Sequence, residues 1–319
     1  MKAGNVNQNS SPAFAYKSVW WAFNSHVHTI ISSQFFSIKT VQCKRIEIGT
    51  PDDDFLELDV VKSGLNNPVV ALFHGLEGNT ERFYIRNLML DLYEAGFSSV
   101  AMNFRSCGTK LNRQKRFYHS GETSDYKTLF EWIKQTFSGS KIHAAGFSLG
   151  GNALIKSLGE FGAKHPVHRA VAISPPYDLK LGSYNLRKGF NRVYEYKFLQ
   201  TLKIKLKQKR TLYPDLPAFD GSTIFDFDDK ITAPVHGFRD AVDYYDTCSS
   251  KNFLGEVKTP LLLIHSEADT LTPLRFAPLK VIEQNPSIQT IFTKSGGHVA
   301  FITRPRNWLN QTIISWLNE

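Results

Sequence analysis

Short runs of consecutive apolar residues alternate with segments of helical periodicity along much of this chain. Val69 to Phe73 is one such run, and the spacing of Tyr84, Leu88 and Leu92 beyond it is that of a helix. A strand that is apolar on both faces is typical of a parallel sheet covered by helices on both sides. Repeated strand, helix and strand units fold into an open, twisted, mostly parallel sheet. The alternation therefore predicts an α/β protein with helices on both faces of its sheet.

The first two predicted strands differ from the later ones. Residues 41–48 and 55–61 alternate apolar and polar side chains around a Gly-Thr-Pro-Asp turn, so we expect them to be antiparallel and half exposed. Residues 1–40 are rich in aromatic side chains and show no clear period. The remaining predicted strands are 69–73, 99–103, 141–145, 167–174, 261–265 and 290–293, and the predicted helices are 84–93, 125–136, 149–160, 278–284 and 307–317.

The alternation lapses after the pair Pro175 and Pro176 and resumes at Leu261. A chain of 319 residues is long enough for one large domain with an insertion or for two small domains. We expect the first arrangement, with an aromatic-rich segment, 1–40, packed on a core formed by 41–176 and 235–319. The intervening segment, 177–234, is predicted to be a cap inserted over the site.

Ser148 is the strongest candidate for a nucleophile. It is the central residue of Gly146-Phe147-Ser148-Leu149-Gly150, with an apolar strand before it and a helical segment after it. In a tight strand-to-helix turn the flanking glycines leave room for neighbouring backbone, and the hydroxyl group stands clear of the sheet. The N-terminus of the helix also favours developing negative charge.

A serine hydroxyl needs a base, and the base needs a carboxylate that orients it. His298 is the histidine in a Gly-flanked loop between the last strand and the last helix, which is where the chain returns to the carboxyl edge of the sheet. Asp269 follows the strand 261–265 at the same edge and is the favoured acid, with Glu267 as its rival. Three further acids fall on a helical stretch and are expected to be surface charges: Asp240, Asp243 and Asp246.

The oxyanion of a tetrahedral intermediate requires N–H donors. The backbone amide of Leu149, directly after the proposed nucleophile, would supply one donor. The backbone amide of Leu76 would supply the other, because it lies in the loop His74-Gly75-Leu76-Glu77-Gly78 that follows an apolar strand.

Composition narrows the possible partners and the cellular location. The three cysteines form no C-x-x-C pair and no zinc-ligand pattern, and His26 with His28 lacks a third ligand, so we expect no metal and no cofactor. No apolar run is long enough to span a membrane, and the start lacks a signal-peptide pattern. We therefore expect a cytoplasmic protein in a reducing compartment.

The basic character of the chain is concentrated in one segment. The formal net charge is +9, and residues 187–210 alone carry nine basic residues against Glu195. No nucleic-acid-binding motif accompanies them, so we expect no nucleic-acid partner. Within this segment one helical face is apolar, with lysines over much of the rest, so weak contact with anionic lipid is conceivable, but a solvated lysine face is favoured. The apolar face consists of Phe198, Leu199, Leu202 and Leu206.

Several further motifs occur in a fixed order along the chain. They are 24–30 (NSHVHTI), 74–78 (HGLEG), 103–108 (NFRSCG), 118–121 (YHSG), 146–152 (GFSLGGN), 231–238 (ITAPVHGF) and 296–298 (GGH). With these motifs the chain resembles the α/β-hydrolase superfamily and, within it, the YheT-like or AB hydrolase 4 family of esterases. His28 stands where that family commonly has Gln, and Ser106 where it commonly has Gly. If the Gly position requires a positive φ, Ser106 carries strain.

The resemblance implies a mechanism. The chain order of Ser148, Asp269 and His298 is that of the α/β-hydrolase fold. We expect a serine carboxylesterase that forms an acyl-serine intermediate on short- to medium-chain esters, with a small-molecule ester as its partner. Acyl transfer or lipase activity through the same intermediate remains open, as does a non-catalytic lipid-binding role. The sequence does not determine the natural ester or the oligomeric state.

Overall fold

A computed structural model describes residues 16–22, 24–35, 41–304 and 307–319, and in them eight strands form one sheet. Their order across the sheet is β1-β2-β4-β3-β5-β6-β7-β8. β2 runs antiparallel to both of its neighbours, and the other neighbouring pairs are parallel. The strands are β1 (Lys44–Gly49), β2 (Phe55–Val61), β3 (Val69–Phe73), β4 (Ser98–Asn103), β5 (Ile142–Phe147), β6 (Arg169–Ile173), β7 (Leu261–Ser266) and β8 (Ile288–Thr293).

Helices connect most of these strands. They are α1 (Ser25–Phe35), α2 (Phe83–Glu94), α3 (Ser124–Thr136), α4 (Leu149–Phe161), α5 (Leu179–Leu186), α6 (Asn191–Leu212), α7 (Ile224–Phe227), α8 (Ala233–Val235), α9 (Ala241–Cys248), α10 (Leu279–Gln284) and α11 (Trp308–Asn318). A π-helical turn, Asp228–Thr232, joins α7 to α8. In the described part of the chain no helix is both long and apolar enough to cross a lipid bilayer.

The sheet separates two apolar layers, as the alternation of side chains along a strand requires. Ala71 and Phe73 of β3 pack in the layer that contains α3 and α4. Val70 and Leu72 of the same strand pack in the opposite layer with α2 and α11. Helices therefore cover both faces, and the predicted α/β-hydrolase fold class is confirmed.

Strand β2 is buried along its whole length, so the prediction that it is half exposed is wrong. Its polar side chains are buried because each has partners. Asp59 accepts hydrogen bonds from Arg45 and Thr80, and Arg86 lies 3.0 Å from it. The carboxylate of Glu57 accepts the N–H of Thr109 at 2.8 Å. Polar residues in this strand thus mark a buried ionic network and not a solvated face.

The N-terminal segment contains a helix that its sequence pattern did not indicate, since residues 25–35 form α1. Predictions for residues 1–15, 23 and 36–40 lie outside the described residues. Helices α5 to α8 lie between β6 and β7 and are called the insertion below. The expected division of the chain at 176 and 234 stays a prediction.

The long helix α6 corrects one expectation. Two residues of the predicted apolar face, Leu199 and Leu206, are buried. Lys205 and Lys209, however, are buried too, so the lysines do not form one continuous solvated face. The Nζ of Lys209 donates to the carbonyl oxygens of Asn112 and Gln114. Contact of this helix with anionic lipid stays a prediction.

Candidate active site

The strand-to-helix turn after β5 holds Ser148 in a strained conformation. Its φ of 52° lies in a region that non-glycine residues rarely adopt, and its N–H donates to the carbonyl of Ile173 at 2.8 Å. A Cβ at Gly146 would lie 2.6 Å from the Gly150 oxygen, and a Cβ at Gly150 would lie 2.5 Å from the His74 oxygen. Both glycines are therefore required by close backbone packing. The turn places the hydroxyl group of Ser148 at the start of α4.

His298 lies within hydrogen-bond distance of Ser148. Its Nε2 is 2.8 Å from Ser148 Oγ, and its Nδ1 is 2.9 Å from Oδ2 of Asp269. With the proton on Nδ1, that nitrogen donates to the carboxylate and Nε2 is free to accept from the serine hydroxyl. The three side chains named from sequence therefore form one chain of contacts.

Asp269 is anchored by the loop after β7. Its Oδ1 accepts the N–H of Leu271 at 2.9 Å, and its Oδ2 accepts the hydroxyl of Thr272 at 3.0 Å. Burial raises the pKa of this carboxyl, but the electrostatic interaction with the His298 ring and the hydrogen bond from it outweigh burial and leave the pKa below its ordinary value. Its rival Glu267 is exposed. Asp269 is thus held ionised against the imidazole.

Two backbone N–H groups lie beside Ser148. Leu149 is the first residue of α4, so its N–H has no acceptor within the helix. Gly75 packs close to Ser148, since a Cβ built on Gly75 would lie 3.2 Å from the Ser148 Cβ, and Leu76 follows it. In the described part of the chain the Leu76 N–H has no protein acceptor. Both donors are available to a bound oxygen.

The loop that carries Leu76 is fixed by its neighbours. The hydroxyl of Tyr84 accepts the Gly75 N–H at 3.1 Å. The hydroxyl of Tyr118 accepts the Glu77 N–H at 2.9 Å and donates to Oε1 of Glu77 at 2.7 Å. The Nζ of Lys205 also donates to this carboxylate oxygen. The position of Leu76 therefore depends on side chains from three separate segments.

A cavity of about 120 Å³ opens beside Ser148. The core contributes Ser148, Leu76 and His298 to its wall, and the insertion contributes Leu186, Phe198 and Leu202. The cavity is largely apolar on the insertion side. A substrate group bound there would lie between the serine hydroxyl and helices α5 and α6.

Helix α1 supports the loop of His298. The sequence motifs alone do not reveal these contacts. The N–H of His298 donates to Oγ1 of Thr29 at 2.9 Å, and a Cβ on Gly297 would lie 2.6 Å from the same oxygen. Nδ1 of the buried His28 accepts the N–H of Ile302 at 3.1 Å. Thr29 and His28 belong to the 24–30 motif, and Tyr118 to the YHSG motif, so the motifs located these residues without giving their contacts.

His26 and His28 point to different partners. Nδ1 of His26 lies 3.1 Å from the hydroxyl of Tyr194, whereas His28 contacts Ile302 and Ser18. A different set, His119, Glu122 and His236, brings its ligand-type atoms within 4.8 Å of one another. The Glu122 carboxylate there already accepts hydrogen bonds from Arg116 at 2.6 Å and from the Ser124 N–H at 2.8 Å. The positively charged Arg116 already occupies the Glu122 carboxylate, and it would repel a metal cation at this position.

The fold and the site define a class of protein. The strand order, the serine at the sharp turn after β5 and the histidine after the last strand are those of an α/β hydrolase. A family model described as the alpha/beta hydrolase fold matches residues 68–305, and the chain therefore belongs to the α/β hydrolase family.

Similar curated proteins place the chain more narrowly. It is 35% identical over 309 residues to YheT of Escherichia coli strain K12, whose name provisionally calls it an esterase, and the match covers 92% of this chain and 90% of YheT. Phospholipase ABHD3 of Mus musculus is 26% identical over 300 residues, with 90% of this chain and 73% of that protein covered. The resemblance to YheT-like hydrolases is confirmed.

Two further comparisons point in the same direction. Medium-chain fatty acid ethyl ester synthase/esterase 2 of Saccharomyces cerevisiae is 27% identical over 281 residues, with 79% of this chain and 62% of that protein covered. Among solved structures, the esterase Pf2001 of Pyrococcus furiosus has a TM-score of 0.59 and 20% identity over 87% of this chain and 92% of that chain. At that identity the structural match concerns the fold alone. The sequence relatives include proteins named esterases, so this chain is a member of a hydrolase family.

Proposed function

We propose that this protein is a serine carboxylic-ester hydrolase. Ser148 Oγ attacks the ester carbonyl while His298 Nε2 takes its proton, and the carbonyl electrons move to the oxygen. The amides of Leu76 and Leu149 bind this oxyanion. His298 then returns the proton to the leaving alcohol, which leaves an acyl-serine. Water, activated by His298, releases the acid, and Asp269 keeps the imidazole oriented throughout.

One observation carries this proposal. Ser148 Oγ, the two imidazole nitrogens of His298 and the Asp269 carboxylate lie in one line of contacts of 2.8 and 2.9 Å. A serine hydroxyl in such contact is activated by a base whose tautomer is fixed by the acid. The esterase names of the relatives support the same chemistry.

The size of the cavity supports a short or medium acyl group. Its volume is about 120 Å³. An apolar cavity of roughly 150 Å³ holds one benzene molecule. We therefore infer that rates on 4-nitrophenyl esters rise to a maximum at short or medium acyl length. A steady rise toward long chains would favour a lipase.

The test of the proposed function compares two serine variants in the same helical region. Ser148→Ala is expected to lower the turnover of 4-nitrophenyl butyrate by several orders of magnitude and to abolish labelling by a fluorophosphonate. Ser157→Ala, near the other end of α4, contacts His165 and is expected to retain turnover. Unchanged hydrolysis by folded Ser148→Ala protein would refute the assignment.

Acyl transfer is a second candidate, favoured by the synthase activity in the name of the yeast relative. The acyl-serine is common to both reactions, and only the acceptor differs. Incubation with an ester and added ethanol separates them, because a transferase yields the ethyl ester in preference to the free acid. A protein that neither turns over esters nor labels at Ser148 would instead be a lipid-binding homologue.

A further inference from the structure

One charged side chain lies in the wall of the cavity beside Ser148. Asp228 is the only acidic side chain among the lining residues, which all belong to the described part of the chain, and neither lysine nor arginine is among them. It begins the π-helical turn between α7 and α8. The proposed chemistry at Ser148 makes no use of it.

The contacts of Asp228 leave its charge without a counter-charge. Its Oδ1 accepts the hydroxyl of Thr232 at 2.7 Å, and its Oδ2 accepts the hydroxyl of Tyr245 at 2.6 Å. No ion pair involves Asp228 in residues 16–22, 24–35, 41–304 and 307–319. A carboxylate accepts more than two hydrogen bonds, so capacity remains on both oxygens.

The other titratable groups on the cavity wall do not supply the missing positive charge. His298 contacts Asp269, and burial raises the pKa of Tyr118, so that this phenol is neutral. The pKa values of Tyr244 and Tyr245 lie well above 10, chiefly because of burial, so both are neutral. Burial lowers the pKa of His119 to about 4, so this histidine is neutral at physiological pH. Burial raises the pKa of Asp228 itself to about 6, against the opposing effect of its two hydroxyl donors. At neutral pH the carboxylate is therefore mostly ionised.

A purely structural role would not require this charge, because an amide could accept one of these hydroxyl groups at its oxygen and donate its N–H to the oxygen of the other. An ionised group in an apolar cavity is unfavourable unless a partner neutralises it. The missing partner is a cation with N–H donors. The rings of Tyr244 and Tyr245, with centroids 5.1 Å apart, lie in the same wall, and aromatic rings attract cations.

We propose that Asp228 is a specificity-determining residue whose carboxylate binds an ammonium group carried by the ester substrate. This inference rests on the proposed ester hydrolysis at Ser148 and names the class of ester. The ammonium group donates hydrogen bonds to Oδ1 and Oδ2, and the apolar wall formed by Phe198, Leu202 and Leu186 packs against the methylene chain. Esters of amino acids with a remote amine, and esters of amino alcohols, belong to this class.

The test uses pairs of esters that differ in charge and hardly in size. One pair carries the charge on the acyl group, 4-nitrophenyl 6-aminohexanoate against 4-nitrophenyl heptanoate. The other pair carries it on the alcohol, 2-(dimethylamino)ethyl butyrate against 3-methylbutyl butyrate. We expect kcat/KM for the ammonium ester to exceed that of its neutral partner by roughly tenfold or more in at least one pair, as a hydrogen bond to a charged group would give. Equal rates in both pairs would overturn the inference while leaving ester hydrolysis intact.

Two neighbouring variants locate the effect. Asp228→Asn should bring the charged-to-neutral ratio close to one. Asp229→Asn removes the same charge one residue away, at a side chain that does not line the cavity and that accepts the Ala241 N–H. It should keep the wild-type ratio. An equal loss in both variants would mean that general charge, and not Asp228, sets the preference.

The wild-type protein provides a measurement that does not depend on the folding of a variant. The ratio within one ester pair cancels any pH dependence that the two esters share, since both would be hydrolysed at the same site. The ratio should fall as the pH is lowered through about 6, because Asp228 then becomes neutral. A constant ratio from pH 5 to 8 contradicts the proposal.

If neither ester of a pair is hydrolysed, the proposed function is refuted. A binding measurement then still tests the inference about Asp228. Calorimetric titration of Ser148→Ala protein should then show tighter binding of the ammonium ester than of its neutral partner, and equal affinities would refute the inference as well.

Discussion

Lys205 of helix α6 donates a hydrogen bond from Nζ to Oε1 of Glu77 over 2.7 Å, although 128 residues separate the two in sequence. Both side chains are buried, and Lys205 also lies over the ring of Tyr118. Glu77 has a φ of 51° and directly follows Leu76, so the ion pair holds a strained residue next to a proposed oxyanion donor. The insertion and the loop 74–78 are thereby joined by a buried ion pair.

Replacing Lys205 by Met should therefore affect the transition state more than substrate binding. We expect kcat to fall roughly tenfold with little change in KM, because a displaced Leu76 N–H stabilises the oxyanion less well. Steady-state kinetics on 4-nitrophenyl butyrate would show this, together with weaker inhibition by a boronic acid that mimics the tetrahedral intermediate. Lys209→Met is the matched control, since this buried lysine of the same helix contacts Asn112 and Gln114 instead of the loop 74–78. Equal kcat losses in the two variants would reduce Lys205 to a structural role.

Asp269→Asn should lower kcat by roughly a thousandfold or more, because an amide does not hold the imidazole in the tautomer that accepts from Ser148. The variant should still fold, since Asn retains an oxygen that can accept the N–H of Leu271. Glu267→Gln changes the exposed rival acid and should leave kcat unchanged. The prediction fails if the Glu267 variant is the one that loses activity.

Ser106 carries the strain that its position predicted, with a φ of 61°. Its hydroxyl offsets this strain by donating to the side-chain oxygen of Asn112 at 2.6 Å and accepting the Asn112 N–H at 3.1 Å. Ser106→Ala keeps the strain and loses both contacts, so the free energy of unfolding should fall by about 1 kcal/mol or more. Ser106→Gly also loses them but relieves the backbone, so its loss should be smaller. Urea denaturation of both variants would check the order.

Asp54 should make the stability of the protein sensitive to acid. Burial raises the pKa of its carboxyl, but hydrogen bonds from the Asn112 side chain and from the backbone N–H groups of Arg113 and Gln114 prevail and lower it. A carboxyl whose folded-state pKa is depressed stabilises the fold above its ordinary pKa near 4, and this contribution is lost as the pH falls further. The free energy of unfolding should therefore decrease more steeply on acidification in the wild type than in Asp54→Asn. Identical slopes would show that other groups dominate.

Local pattern was enough to predict the class of fold. The run Val69 to Phe73 is apolar on both faces because α2 and α3 cover the two sides of β3. Such a pattern needs no knowledge of distant contacts. The burial of strand β2 could not be predicted in this way. Asp59 is buried because it pairs with Arg45 and Arg86, and the pattern of residues 55–61 contains no information about these distant partners.

The candidate site divides in the same way. Ser148 and His298 were recognisable because each lies beside glycines and follows a strand at the carboxyl edge of the sheet. Lys205 was not recognisable, since within α6 it is one lysine among several, and its burial depends on Glu77 and Cys107 in another part of the chain. Asp228 was not recognisable either, because it is one of several aspartates close together in sequence. Its place in the cavity wall depends on how the insertion packs, and the alternation of strand and helix patterns lapses in that segment.

The hydrogen bond from the His298 N–H to Thr29 spans 269 residues. During translation Ser148 is made before His298. The loop of His298 gains the support of Thr29 only when it contacts α1, which is made earlier. The Ser148 hydroxyl therefore exists without its base while the 150 residues up to His298 are made. Under the proposed mechanism, hydrolysis therefore requires the loop of His298 to have docked on α1, so two segments far apart in sequence must meet before the base is in place.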